Sequence, residues 1–294
     1  MKVLIKGAGD LATGIACRLR NSGYDILMTD IAEPTTVRRT VAFSRAVYEG
    51  RCEIEGIEGV LVPSDQCRQE CLLECERDQA SEWLRDTAGQ ILQEIESIQA
   101  AGKVAVMVDE KAEIAALYQP EVIVDAILAK KNLGTRMTDA PLVIGVGPGF
   151  TAEQDVHAVI ETKRGHDLGR VIRKGSAIPN TGIPGDVGGY TIERLIKAAA
   201  DGAIHPLVNI GDKVSEGQPV AEVITEDAEE PAVTYALMSG IVRGMLQEGV
   251  SVTKGMKIGD IDARCEIRHC YSVSDKARAI GGGVLEALAA YEHE

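Results

Sequence analysis

The sequence predicts an α/β protein: an open parallel sheet over residues 1–198, a duplicated β-rich module over 199–264, and a C-terminal strand and helix over 265–294 that pack back. Three observations carry this. A short apolar run, Val3–Ile5, enters a glycine loop and then a helical repeat. Apolar, β-branched runs recur at 103–110 and 120–129. In the second half, glycines and small apolar residues repeat at a fixed offset.

The first element is a strand–glycine loop–helix unit. Gly7, Gly9 and Ala12 fit G-x-G-x-x-A, and Leu11, Ile15 and Leu19 follow at helical spacing. A second strand, Ile26–Met28, runs into Asp30. This is how a Rossmann-like fold begins: glycines admit a pyrophosphate to the helix N-terminus, and an acidic residue some 20 positions on meets a ribose hydroxyl. Asp10 sits inside the loop, where its charge either opposes a phosphate or caps the helix. A tight turn without a ligand gives the same pattern.

Leu84, Thr87, Ile91, Ile95 and Ile98 mark an amphipathic helix. The runs "KVAVMVDE" and "PEVIVDAILA" read as buried parallel strands. In open α/β sheets ligands gather at the carboxyl ends of strands. Asp30, Asp109, Asp125 and the Gly145–Gly149 loop are expected there.

Gly202, Gly211, Val214, Gly217 and Val223 match Gly240, Gly249, Val252, Gly255 and Ile261 at a constant offset of 38. A fixed period signals a duplicated unit, and the pattern is similar to a biotinyl/lipoyl-like barrel-sandwich hybrid. Covalent biotin or lipoyl is excluded, because no lysine lies between Lys213 and Lys254. The module reads as a docking or structural domain. "YTIERLIKAA" (190–199) before it reads as a helix, and "RCEIRHCYSV" after it has strand-like alternation.

Cys67, Cys71 and Cys75 share a helical face. They read as packed or surface thiols, although three thiolates hold a metal if a fourth ligand arrives. No residue is assigned as a metal ligand. The densest chemistry lies in "GPGFTAEQDVHAVIETKRGH" (147–166). His157 and Glu161 fall on one strand face and suit a base with its orienting carboxylate. A salt-bridged sheet edge has the same spacing. Lys130, Lys131, Arg136 and Arg164 supply positive charge, and the amides of Gly147 and Gly149 suit an anion-binding nest. Asn180 and Thr181 project from a stiff Pro/Gly loop that suits ligand contact.

The net charge of −14 argues against nucleic acid and anionic lipid as partners. No apolar run approaches a membrane span, and the N-terminus reads as a strand rather than a signal peptide. Seven cysteines without a signal peptide point to a reducing cytoplasm. A homo-oligomer is left open.

The motifs "KGAGDLATG", "RRTVAFSRAVYEG", "VDAILAKKNLGT", "APLVIGVGPGFTAEQDVHAVIETKRGHDLGRVI" and "PNTGIPG" together resemble the YqeB-type family, accessory proteins of selenium-dependent molybdenum hydroxylases, related to xanthine dehydrogenase accessory factors. The resemblance implies a maturation role toward a molybdenum hydroxylase partner. It carries over no catalytic role. A glycine is expected where Glu153 stands, and 64–80 is peculiar to this chain. The combined expectation is a maturation factor binding an anionic, nucleotide-bearing cofactor such as molybdopterin dinucleotide. An NAD-dependent oxidoreductase and a non-catalytic scaffold or chaperone are the alternatives.

Overall fold

The computed structural model describes residues 1–63, 82–180, 182, 188–225 and 230–293. The chain divides into two compact units. The first comprises Met1–Pro34, Phe43–Asn180 and Val273–Glu294, and the second Thr35–Ala42 and Thr181–Ser272.

In the first unit the strands are β1 (Lys2–Lys6), β2 (Asp25–Asp30), β3 (Arg51–Ile54), β4 (Ile57–Leu61), β5 (Val104–Val108), β6 (Val122–Asp125), β7 (Leu142–Val146), β8 (Thr151–Ala152), β9 (Ala158–Ile160), β10 (Val171–Ile172) and β11 (Gly175–Ser176). Its helices are α1 (Asp10–Asn21), α2 (Arg45–Glu49), α3 (Glu82–Ala100), α4 (Ala115–Tyr118) and α5 (Asp275–Glu292). The main sheet has the order β10-β9-β7-β6-β1-β2-β5-β4-β3. Strands β9 to β4 of that order run parallel, whereas β10 pairs antiparallel with β9 and β3 antiparallel with β4.

The parallel strands are apolar on both faces because both faces are covered. On β1, Val3 and Ile5 join the core beneath α1 and α5, while Leu4 joins the opposite core with Ile91 and Ile95 of α3. Helices α1 and α5 meet through glycine. A Cβ on Gly14 would stand 2.6 Å from the Ala277 Cβ, and one on Gly281 would stand 2.8 Å from the Gly14 carbonyl oxygen. Ser274 caps α5 by accepting from the Ala277 N–H.

The second unit holds β12 (Leu195–Lys197), β13 (Gly202–Pro206), β14 (Lys213–Val214), β15 (Pro219–Ile224), β16 (Ala232–Tyr235), β17 (Gly240–Met245), β18 (Ser251–Val252) and β19 (Lys257–Asp262). They form two four-stranded antiparallel sheets, β12-β19-β17-β14 and β16-β15-β13-β18. A core of Ile196, Ile204, Val220, Val223, Ile241, Val242, Ile258 and Ile261 fills this unit.

Three expectations are corrected. A Rossmann-like parallel sheet followed by a biotinyl/lipoyl-like barrel-sandwich module is not the architecture. The main sheet is mixed, and three small antiparallel sheets accompany it among the described residues. The cause at one edge is local: β3 and β4 are joined by Glu55 and Gly56 alone, both at positive φ, and a two-residue turn joins only antiparallel strands. The stretch 190–199 is no helix, because Leu195–Lys197 pairs with β19 and buries Ile196. Its pairing partner overrides its helical spacing. The alternating stretch after Cys265 is a 3-10 turn over Ile267–Cys270, with Cys270 in the core.

Candidate functional site

Parallel β7, β6, β1, β2 and β5 bring the anticipated loops to one end of the main sheet. Their polar groups are turned on one another. Asp30 Oδ2 accepts from the Ala8 N–H at 2.9 Å and Oδ1 from the Ile31 N–H at 2.8 Å. One amide of the first glycine loop, that of Ala8, is thus met by the chain's own carboxylate. Burial pushes the Asp30 carboxyl up, and the two amide hydrogen bonds offset part of this. Gly7, at φ +93°, lies against the next loop: its Cβ would stand 3.0 Å from the Ala126 carbonyl oxygen. Gly9 is extended at the N-terminus of α1, without a side-chain cap.

The second glycine loop behaves similarly. A Cβ on Gly147 would meet Thr162 Oγ1 at 2.9 Å, and one on Gly149 the Lys131 backbone at 2.7 Å. These glycines admit protein, as close approach requires. Glu153 takes φ 70°, the left-handed region in which the expected glycine is at ease. The side chains of Lys130, Lys131, Arg136 and Asn180 are exposed. Arg164 is tied bidentately to Asp275, at 2.6 and 3.0 Å. Thr181, Cys67, Cys71 and Cys75 lie outside the described residues.

His157 and Glu161 are not joined. His157 Nδ1 accepts from the Val143 N–H at 2.9 Å, which leaves the ring proton on Nε2. Glu161 is buried. Its Oε1 accepts from the N–H groups of Thr162 (2.8 Å) and Lys163 (2.7 Å), and its Oε2 from that of Ile178 (2.8 Å). It fastens Ile178 to the end of β9. Asp125, also buried, accepts from Thr135 Oγ1 at 2.6 Å, and that oxygen accepts from Lys6 Nζ at 3.0 Å. Lys276, at the start of α5, is pulled below the usual lysine range by burial and by Arg164, against the opposing charges of Asp10, Glu161 and Asp275.

Beyond these loops, at the β10 edge, lies a cavity of about 470 Å³. Glu161, Asp167, Arg170, Arg173, Lys174 and Ser176 supply its polar lining, and Val171, Ile172 and Ile178 its apolar part. The Arg170 and Asp167 side chains are 3.4 Å apart, Lys174 and Glu153 4.0 Å, and Ser176 Oγ lies 2.9 Å from Thr151 Oγ1. This volume suits a small molecule. The arrangement can hold negative charge against guanidinium and ammonium groups with apolar surface beside them. Sequence reasoning found Glu161 here and missed Arg170, Arg173, Lys174 and Ser176. The usable signal was "RVIRK", in which Arg170, Ile172 and Lys174 alternate onto one strand face. Among the described residues no group of three His, Cys, Asp or Glu side chains is placed to hold a metal ion. No described helix is long and apolar enough to cross a membrane.

No family model matches the chain. It is 44% identical over 292 residues to the uncharacterized protein YqeB of Escherichia coli (strain K12), a match covering 99% of this chain and 48% of that one. The chain therefore spans about half the length of the curated relative it matches. Similar solved structures include an aspartoacylase family protein from Mesorhizobium loti, at 11% identity over 88% of this chain and 84% of that one, TM-score 0.25. A succinylglutamate desuccinylase from Silicibacter sp. TM1040 matches at 12% identity over 88% of this chain and 84% of that one, TM-score 0.25. The ectoine utilization protein EutE from Ruegeria pomeroyi, without ligand, matches at 8% identity over 89% of this chain and 87% of that one, TM-score 0.25. At such scores the likeness transfers neither fold nor activity.

The three are named as desuccinylase, aspartoacylase family and ectoine utilization proteins, and no molybdenum hydroxylase accessory factor is among them. Maturation of a molybdenum hydroxylase, that enzyme as partner, and a nucleotide-like anionic ligand are withdrawn. In the glycine loops, Asp30 takes the Ala8 N–H and the Lys131 backbone packs closely on Gly149. What stands is the relationship itself: at 44% identity along its whole length the chain is a homologue of YqeB, which supports the YqeB-type family.

Proposed function

We propose that the first unit binds a small organic acid in the cavity at the β10 edge. The carrying observation is the lining: Arg170, Arg173 and Lys174 stand around about 470 Å³ in a chain of net charge −14. Cations concentrated at one concave place in an acidic protein attract an anion selectively. Arg170 and Arg173 carry the planar fork that matches a carboxylate. Val171, Ile172 and Ile178 suit a short hydrocarbon skeleton. Glu161 holds the wall in shape and meets backbone amides with both oxygens, so its charge is already compensated.

The reading is of binding, with recognition by charge. Arg170 and Lys174 are well exposed, so each contributes about 0.5–1 kcal/mol and affinity is modest. Calorimetric titration of mono-, di- and tricarboxylic acids into the full chain and into the Arg170→Ala/Lys174→Ala variant tests it. Saturable binding that the variant weakens is expected. Binding of none of these acids, or equal binding by both proteins, contradicts the reading.

A further inference from the structure

The second unit gathers three arginines and Lys257 around two buried carboxylates. Both Asp260 oxygens accept from Arg194 Nη2 at 3.0 Å. Asp262 accepts from Arg264 Nε at 2.9 Å and from Arg264 Nη2 at 2.6 Å. Each carboxylate therefore has its own guanidinium.

Arg243, on β17, is left over. Only 7% of it is exposed. Its Nη1 stands 3.9 Å from Asp260 and 3.7 Å from Asp262, beyond hydrogen-bond reach. Its Nε is buried and has no hydrogen-bond partner. His269 Nδ1 is buried and unpartnered as well. The two belong to one neighbourhood, because the Cys270 thiol donates to the Val242 carbonyl at 3.7 Å and sets the His269–Cys270 turn against β17. Arg38, also buried, donates from Nη2 to the carbonyls of His269 and Ser272 and adds like charge beside Arg243.

Three guanidiniums (Arg194, Arg243, Arg264) and the Lys257 ammonium thus meet two carboxylates, with Arg38 adding further positive charge beside Arg243. Buried charge is retained where it is paired, and buried donors are expected to be satisfied. We infer that Arg243 and His269 form a binding site for a small oxyanion, a carboxylate or phosphate group, within the second unit. Arg243 gives a buried, charge-assisted N–H donor, and His269, within reach of its charge, a buried ring nitrogen. Arg38 holds the His269 turn in position.

The site is independent of the first-unit cavity, and the test separates them. Inorganic phosphate and, separately, acetate are titrated calorimetrically into the full chain carrying Arg170→Ala and Lys174→Ala. One saturable site per chain is expected for at least one of the two, and the anion that binds identifies the chemistry. Adding Arg243→Met should weaken it at least tenfold, and adding His269→Ala severalfold, with circular dichroism showing the fold kept. If Arg243→Met does not fold, His269→Ala decides: weakened binding supports the site, unchanged binding overturns it. Binding of neither anion, or unchanged binding in a folded Arg243→Met protein, also overturns it.

Discussion

Glu161 accepts three backbone N–H groups while almost wholly buried, and truncating it leaves three donors unmet. Glu161→Ala should destabilise the first unit by about 3 kcal/mol in urea unfolding, since a buried donor without its acceptor costs about 1–3 kcal/mol. Glu161→Gln, which keeps one acceptor oxygen, should lose less. Asp262 provides a pH test. Burial pushes its carboxyl up, but hydrogen bonds from the Arg264 side chain and backbone, with the charges of Arg264 and Arg243, outweigh this and hold it at about 2. Its folded value lies below the ordinary carboxylate value of 3.8, so its stabilisation is present above that pH and lost as pH falls toward 2. Asp262→Asn should therefore lower the urea midpoint near neutral pH and narrow its gap to the parent protein below about pH 4. The strand setting of Glu161 was legible in the sequence and its backbone partners were not. Strand alternation put it beside His157, yet the ring nitrogen of His157 is taken by the neighbouring strand's Val143, a pairing no local pattern encodes.

At the scale of elements, the contact of α1 with α5 depends on two glycines. Gly14→Val forces a branched side chain into the Ala277 Cβ, which a Cβ alone would approach to 2.6 Å. It should destabilise the protein by about 3 kcal/mol or more, read from the shift in urea midpoint, because overfilled cores cost about 1–3 kcal/mol and occasionally more. Gly23→Ala, at a glycine with nothing within 4 Å but φ +92°, measures backbone strain alone and should cost less. Strands β1, β2, β5 and β6 were legible because a strand buried on both faces is an uninterrupted apolar run. Helix α3 was legible from its spacing. The strand at Leu195–Lys197 was not, since its conformation comes from Gly259 and Asp260, some sixty residues on. The antiparallel edges escaped for a related reason: the direction of β10 depends on which strand it meets.

For the whole molecule, the net charge of −14 led to the expectation that a cationic cluster marks a ligand, and the cluster expected from sequence is not the one that lines the cavity. Lys130, Lys131 and Arg136 are exposed on the glycine-loop side, while Arg170, Arg173 and Lys174 line the cavity. Composition gives the sign of a ligand's charge but not its place, because concavity is a property of the folded chain. The resemblance drawn from long motifs gave the relationship to YqeB correctly, and 44% identity supports it. It did not give the function, since a motif preserves a turn as readily as a reaction.

The most direct measurement is calorimetric titration of small organic acids into the full chain and into Arg170→Ala/Lys174→Ala, at low and at physiological salt. The account predicts saturable binding by at least one acid, weakened about tenfold in the variant as two exposed cations are lost, and weaker at higher salt. A folded variant that binds as tightly as the parent, or a parent that binds none of the acids, would contradict it.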